Sequence, residues 1–199
     1  PTGNLLSREE TERVIQRAGA LGCTVVLDEC FLDFVEKPDE FSMLGELAVY
    51  PHVILLKAFT KLYAMAGVRL GYGISSNPAI IEKLERSVQP WNVSSLAQAA
   101  GLAALAEDAY VRESLTTLRA ERAYLLQALE KLGCRTYASQ ANYIFFRGET
   151  TLGEKLRAAG FLVRDCSNYA GLGKGYYRVA VRLHEDNMKL VQALAHILD

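Results

Sequence analysis

Two short apolar runs, "CTVVLDE" at residues 23–29 and "HVILLKA" at residues 52–58, constrain this chain more than any other feature. Each is too short for a core helix and rich in aliphatic and β-branched residues, so each reads as a buried strand. The segment before the first run reads as a helix reaching about Ala20 and stopped by Gly22. Its start is marked by Ser7 and Glu10, a capping box in which each side chain satisfies the other's free backbone donor. Helix, strand and then an acid, Asp28, is the order of an α/β unit. Uninterrupted apolar strands between helices predict a parallel or mixed sheet covered on both faces.

Further along, a short helix is expected near residues 41–48, a third strand at "VRLGYGIS", and a helix over "NPAIIEKLERSV" with Asn77 as N-cap and Pro78 at the first helical position. "SSLAQAAGLAALAED" and "DAYVRESLTTLRAERAYLLQALEKLG" read as helices, the second amphipathic and ended by Gly133. The pattern then changes. "CRTYAS", "ANYIFFRG", "FLVRDCS" and "YYRVAVR" are strand-like, interrupted by the helix "TLGEKLRAAG" and closed by the helix "HEDNMKLVQALAHILD". The expected fold class is α/β, with residues 1–93 as one end of a sheet domain and residues 94–199 as linking helices and a smaller α+β domain.

Composition limits the function classes. The 199 residues are 50% hydrophobic, and the 22 basic and 23 acidic residues are scattered, so no stripe suits nucleic acid or an anionic membrane. No apolar run approaches the roughly 18 residues needed to span a bilayer, and "PTGNLLSREE" has neither a basic nor an apolar leader region. Cys23, Cys30, Cys134 and Cys166 are widely spaced without a CxxC pair or a histidine at ligand spacing, which points to reduced thiols, no metal and a cytoplasmic location. The chain opens inside a turn without an initiator methionine and reads as a fragment, so some functional groups are expected on a segment upstream.

The chemistry converges on "LLKAFTKLYAMAGVRLGYG", residues 55–73. In an open α/β sheet, ligands bind outside the carboxyl ends of strands. Asp28 and Lys61 both follow strands and are expected to face one crevice. A lysine amine in a dry crevice is a nucleophile toward aldehydes. A carboxylate there can pair with a protonated ring nitrogen, and Arg69 can hold a phosphate by its forked donors. These are the needs of pyridoxal phosphate. Taken singly, Asp28 reads equally as a turn cap, Lys61 as a snorkelling surface residue and Arg69 as half of an ion pair.

In order, "PTG", "LDECFLDF" and "KAFTKLYAMAGVRLGY" resemble the consecutive motifs of fold type I pyridoxal-phosphate enzymes of the class I/II aminotransferase superfamily. The resemblance covers essentially the whole chain and makes residues 1–93 the C-terminal part of the cofactor-binding large domain. It implies that Lys61 joins the cofactor aldehyde, that Asp28 faces the pyridine nitrogen and that Arg69 binds the phosphate. "DECFLDF", "TKLYAMAGVRLGY", "QPWNVSSLAQ", "ANYIFF" and "RDCSNYAGLGKGYYRVAVR" are most similar to the threonine-phosphate decarboxylases of cobalamin biosynthesis, near relatives of the histidinol-phosphate aminotransferases. Phe31 stands where the aminotransferases usually carry a tyrosine that meets the cofactor's phenolic oxygen; phenylalanine looks like the decarboxylase branch.

Arg164 and Arg178, on neighbouring predicted strands, suit a substrate with two anions. By resemblance, Arg178 matches the substrate-anion arginine, Arg164 a second one of the branch that takes phosphorylated substrates, and Asn142 an asparagine near the substrate carboxylate. Arg182 reads as scaffold, and Trp91 and Asn92 as packing or hinge residues. The resemblance further implies a homodimer. Two departures qualify it. Ala58 replaces a serine that bonds the cofactor phosphate, a loss of roughly 1.5–3 kcal/mol, and an asparagine, a glycine-rich loop and a stacking aromatic are expected upstream of Pro1. The 199-residue chain alone is therefore expected to bind cofactor poorly and to be inactive. Two other readings stay open: histidinol-phosphate or aromatic amino acid transamination, and a cofactor-free binding or regulatory module on the same fold.

Overall fold

The structure, a computed structural model, describes residues 2–198. Contacts divide the chain into two compact units: Leu6–Val111, and the opening segment through Leu5 together with the chain from Arg112 onward.

In the first unit, helix α1 (Arg8–Ala20) starts with the expected box. Glu10 N–H donates to the Ser7 hydroxyl at 3.2 Å, and Ser7 N–H donates to the Glu10 carboxylate at 3.0 Å. Strands β1 (Val25–Asp28), β2 (Val53–Ala58) and β3 (Gly71–Ile74) form a mixed sheet in the order β1-β2-β3. β1 runs parallel to β2, with Asp28 beside Leu56, and β3 returns antiparallel, with Gly71 beside Ala58. Ile15 of α1 packs with Met43, Leu47, Val53 and Leu55 on one face. Burial alternates along β1, so Val26 on the other face is 57% exposed.

The helix expected near residues 41–48 is replaced by two single 3₁₀ turns, Pro38–Glu40 and Leu44–Glu46. The buried carboxylate of Glu29 is the physical reason. It accepts hydrogen bonds from the Ser42 hydroxyl (2.8 Å) and the Met43 backbone N–H (2.9 Å), taking donors at the point where a helix would begin. Helix α2 (Phe59–Leu62) follows β2 directly. Helix α3 (Pro78–Ser87) has Asn77 as its cap, accepting from Ala79 N–H at 3.0 Å. Helix α4 (Ser95–Ala104) is capped by Ser94. A Cβ at Gly101 would stand 2.5 Å from Leu70 Cδ2. That close approach ties α4 to the first unit, so the contacts divide at Val111 and not after residue 93. Trp91 is 95% exposed in a left-handed conformation (φ +56°), so packing is not its role within this unit.

Helix α5 (Asp108–Lys131) leads into the second unit and ends at Gly133, whose φ of +77° lets the Cys134 N–H reach back to Leu129 O. Strands β4 (Arg135–Thr136), β5 (Tyr143–Arg147), β6 (Arg164–Asp165) and β7 (Tyr176–Ala180) form an antiparallel sheet in the order β4-β5-β7-β6. Helices α6 (Leu152–Ala158) and α7 (His184–Leu198) complete it. Leu125 and Leu129 lie one helical turn apart on α5, as do Leu190 and Leu194 on α7. They pack on Ile144 and Phe146 of β5 and Tyr177 and Val179 of β7. The period of two along a strand then turns Tyr143, Phe145 and Arg178 to the opposite face. Arg182 pairs with Asp186 at 2.8 Å, consistent with a scaffold role.

Candidate active site

The first unit carries Asp28, Phe31, Lys61 and Arg69. Asp28 closes β1, and its Oδ1 accepts from Cys30 N–H at 3.0 Å, so it also serves as the turn cap weighed for it. Lys61 lies in the single turn of α2, with its Nζ 5.7 Å from the centre of the Phe31 ring. Phe31 is half-buried and tilted against Phe34. The short helix is held by its aromatic residues: buried Phe59 stacks on Tyr63 at 5.3 Å and tilts against Tyr72 at 6.0 Å.

Lys61 is exposed, so the dry crevice expected around its amine is not formed by the described residues. It has no salt-bridge partner among them. One thiol reports on both ends of the site. Burial, then a hydrogen bond to Asp28 and the charge of Asp28, push the Cys30 thiol up to about 12, while the charge of Lys61 pulls the other way. Arg69 is in the left-handed region (φ +60°), as is Ala64 (φ +53°). Such backbone costs of order 1–3 kcal/mol for a non-glycine residue and clusters at ligand-binding segments. The Arg69 guanidinium donates to Ala66 O at 3.0 Å and is otherwise exposed. Ala58, at the extended N-cap position of α2, provides no side-chain cap.

The same unit holds an ion cluster, buried at Glu29 and half-buried at Lys57 and Asp33, that the sequence did not single out. Lys57 Nζ is 2.9 Å from Asp33 Oδ1 and 3.4 Å from Glu29 Oε2. Burial lowers the Lys57 pKa, but the hydrogen bond and charge of Asp33 and the charge of Glu29 outweigh it, so the net shift is upward. The legible signal was the period of two: Lys57 shares its strand face with Val53 and Leu55, which are buried. A lysine there needs a carboxylate, and "DECFLD" supplies two.

The second unit carries Asn142, Arg164 and Arg178. Arg164 and Arg178 are directly opposite one another across β6 and β7. Like charges in such positions repel, and neither pairs with a carboxylate among the described residues. Each lies over a tyrosine ring instead: Arg178 over Tyr143 at 4.3 Å, and Arg164 over Tyr169 at 5.7 Å. Arg164 also donates to Asn168 Oδ1 at 3.2 Å. Asn142 is half-buried just before β5, and its carbonyl accepts from Val181 N–H at 2.9 Å. Two arginines on cross-strand neighbours, with their forks unused by carboxylates of the described residues, can take a ligand with two anionic groups.

The first-unit set fits pyridoxal phosphate in its donor chemistry. It combines an amine without a carboxylate partner among the described residues, a carboxylate at a strand end and an exposed guanidinium, and Ala58 adds no hydroxyl to it. The pattern of the family described as aminotransferase class I and II matches residues 1–194. The threonine-phosphate decarboxylase of Salmonella typhimurium is 38% identical over 202 residues, covering 100% of this chain and 55% of that protein. The histidinol-phosphate aminotransferase of Methanosphaera stadtmanae is 32% identical over 206 residues, covering 100% of this chain and 54% of that protein. The solved histidinol-phosphate aminotransferase of Clostridium acetobutylicum matches with a TM-score of 0.94 at 31% identity, covering 100% of this chain and 61% of that one. The chain spans about half the length of the curated relatives it matches. With the family pattern running along nearly all of it and the fold shared, this chain belongs to the aminotransferase class I and II family, whose cofactor is pyridoxal 5'-phosphate.

Proposed function

We propose that this chain is part of an enzyme that decarboxylates L-threonine O-3-phosphate to (R)-1-amino-2-propanol O-2-phosphate, a step of cobalamin biosynthesis. The observation that carries this reading is the cross-strand pair of Arg164 and Arg178 without carboxylate partners. Threonine phosphate presents a carboxylate and a phosphate, one anion for each guanidinium group. Similarity to the Salmonella typhimurium decarboxylase adds support.

Pyridoxal phosphate, when bound, supplies an electron-withdrawing ring that takes up the electron pair of a bond broken at the substrate Cα. In the proposed roles, Lys61 holds the cofactor and Asp28 keeps a proton on its ring nitrogen. Arg69 anchors its phosphate, and Phe31 lies against it. Arg164, Arg178 and Asn142 would bind the substrate anions and so fix which substituent of the substrate Cα is presented for cleavage, the carboxylate rather than the hydrogen. Lys61 Nζ would serve as the acid that returns a proton to the substrate Cα. A homodimer and a cytoplasmic location accompany this reading.

Transamination of histidinol phosphate is the second reading, favoured by the TM-score of 0.94 to the Clostridium acetobutylicum aminotransferase. One assay separates the two. Carbon dioxide release from threonine phosphate is expected, and amino transfer to 2-oxoglutarate without carbon dioxide would sink the decarboxylase. The non-catalytic reading rests on Ala58. Borohydride reduction with cofactor followed by mass mapping is expected to place an adduct on Lys61, and its absence would favour a regulatory module.

A further inference from the structure

We propose that Tyr143 is a positioning residue that fixes the direction in which Arg178 presents its guanidinium to the substrate anion; this rests on the reading of Arg178 given above. Among the described residues of the second unit, four arginines lie over tyrosine rings. The distances are 5.3 Å for Arg135 over Tyr137, 5.4 Å for Arg147 over Tyr176, 5.7 Å for Arg164 over Tyr169 and 4.3 Å for Arg178 over Tyr143. The attraction operates within about 6 Å and strengthens as the cation nears the ring and loses water. Arg178 is therefore the one held closest, and both it and Tyr143 are half-buried.

The strand register explains why these two meet. Tyr143 is opposite Ala180, and Phe145 is opposite Arg178, so Tyr143 and Arg178 are diagonal neighbours on one sheet face. Diagonal neighbours are within reach of aromatic and long side chains. Arg178 has no carboxylate partner among the described residues to orient it, and the ring supplies the orientation.

Tyr143 is itself anchored. The Ser139 hydroxyl donates to the Tyr143 carbonyl and accepts from Ala141 N–H, which fixes the turn leading into β5. Burial pushes the Tyr143 phenol up, while Arg178 and the Gly3 backbone act the other way. Gly3 has φ +81°, and its carbonyl accepts from Gln140 N–H at 2.8 Å. A Cβ at Gly3 would collide with the Ser139 hydroxyl. The opening segment and the turn before β5 are thus held together at Tyr143, whose ring lies under the Arg178 head group. A guanidinium held in this way has little rotamer freedom to lose when it takes an anion.

The test uses Tyr143→Phe, Tyr143→Leu, Arg178→Lys and the double variant Tyr143→Leu/Arg178→Lys in the cofactor-loaded protein. Binding of threonine phosphate is measured by calorimetry. Tyr143→Leu is expected to weaken binding about tenfold, Tyr143→Phe, which keeps the ring, about threefold or less. In the Arg178→Lys background, Tyr143→Leu is expected to add little. An equal loss in both backgrounds, or an unchanged affinity in Tyr143→Leu, overturns the positioning role.

A second readout separates this failure from failure of the substrate reading. Tyrosine labelled with carbon-13 at Cζ reports the titration of Tyr143 by NMR, and the Arg178→Met variant is expected to shift it upward by removing the guanidinium. No shift would overturn the proposal whatever the substrate. A shift together with unaltered threonine-phosphate binding in Arg178→Lys would overturn the substrate reading alone.

Discussion

Lys57 and Lys61 are four residues apart in one segment and have opposite surroundings. The Lys57 ammonium lies 2.9 Å from Asp33 and 3.4 Å from Glu29, whereas the Lys61 amine faces the Phe31 ring at 5.7 Å. A lysine engaged by two carboxylates is held as a cation and is no nucleophile. The lysine proposed to hold the cofactor is the one without such partners among the described residues.

Replacing Lys57 tests the first half of that contrast. Lys57→Met leaves Glu29, which is 8% exposed, without its cation. The expected destabilisation is about 3 kcal/mol, the cost of stranding a buried charge. The midpoint of urea unfolding measures it. Glu29→Gln introduced into Lys57→Met is expected to restore part of the loss, since the neutral amide no longer needs a cation.

The same cluster sets a pH dependence. The folded pKa of Lys57 is raised above the ordinary 10.5, so its contribution to stability is complete below about pH 10.5 and is lost as pH rises through the higher folded value. Unfolding midpoints of the native protein and Lys57→Met are expected to converge above that range. Curves that stay parallel from pH 9 to pH 12 would contradict the linkage.

Ala58→Ser restores a hydroxyl at the extended N-cap of α2. Stabilisation of about 1 kcal/mol is expected if the hydroxyl caps the turn. Cofactor affinity, followed by absorbance titration, is expected to rise about tenfold if it meets the phosphate instead. A variant that changes neither would show that the missing donor is of no consequence.

Cysteine reactivity offers a map of the site. Cys23 is exposed, the Cys30 thiol is pushed up to about 12, and burial raises both Cys134 and Cys166. The thiolate is the reactive form. Iodoacetamide at pH 8 is expected to label Cys23 first, as read by mass spectrometry of peptides. Equal labelling of Cys30 would mean that its contact with Asp28 does not persist in solution.

Gly3→Ala is expected to cost about 1–3 kcal/mol, because a left-handed backbone and a collision with Ser139 both oppose the added methyl. Thermal unfolding measures it, and an unchanged midpoint would place the opening segment elsewhere than beside β5.

Local patterns in the sequence determined the elements and the candidate chemistry. Ser7 and Glu10 announced α1, Asn77 and Pro78 announced α3, and the short apolar runs announced β1 and β2, because caps and periodicity act over a few residues of chain. Asp28 and Lys61 were legible as strand-end groups for the same reason. Tertiary structure decided what depends on partners distant in the chain. Glu29 draws Ser42 and Met43 to itself and breaks the helix expected near residues 41–48 into 3₁₀ turns. Lys57 is neutralised by Asp33, 24 residues away, and Arg178 is laid on a tyrosine 35 residues before it. No local rule encodes these pairings. A buried charge or an unpaired guanidinium settles wherever the folded chain offers the least costly partner, and only the register of strands brings that partner within reach.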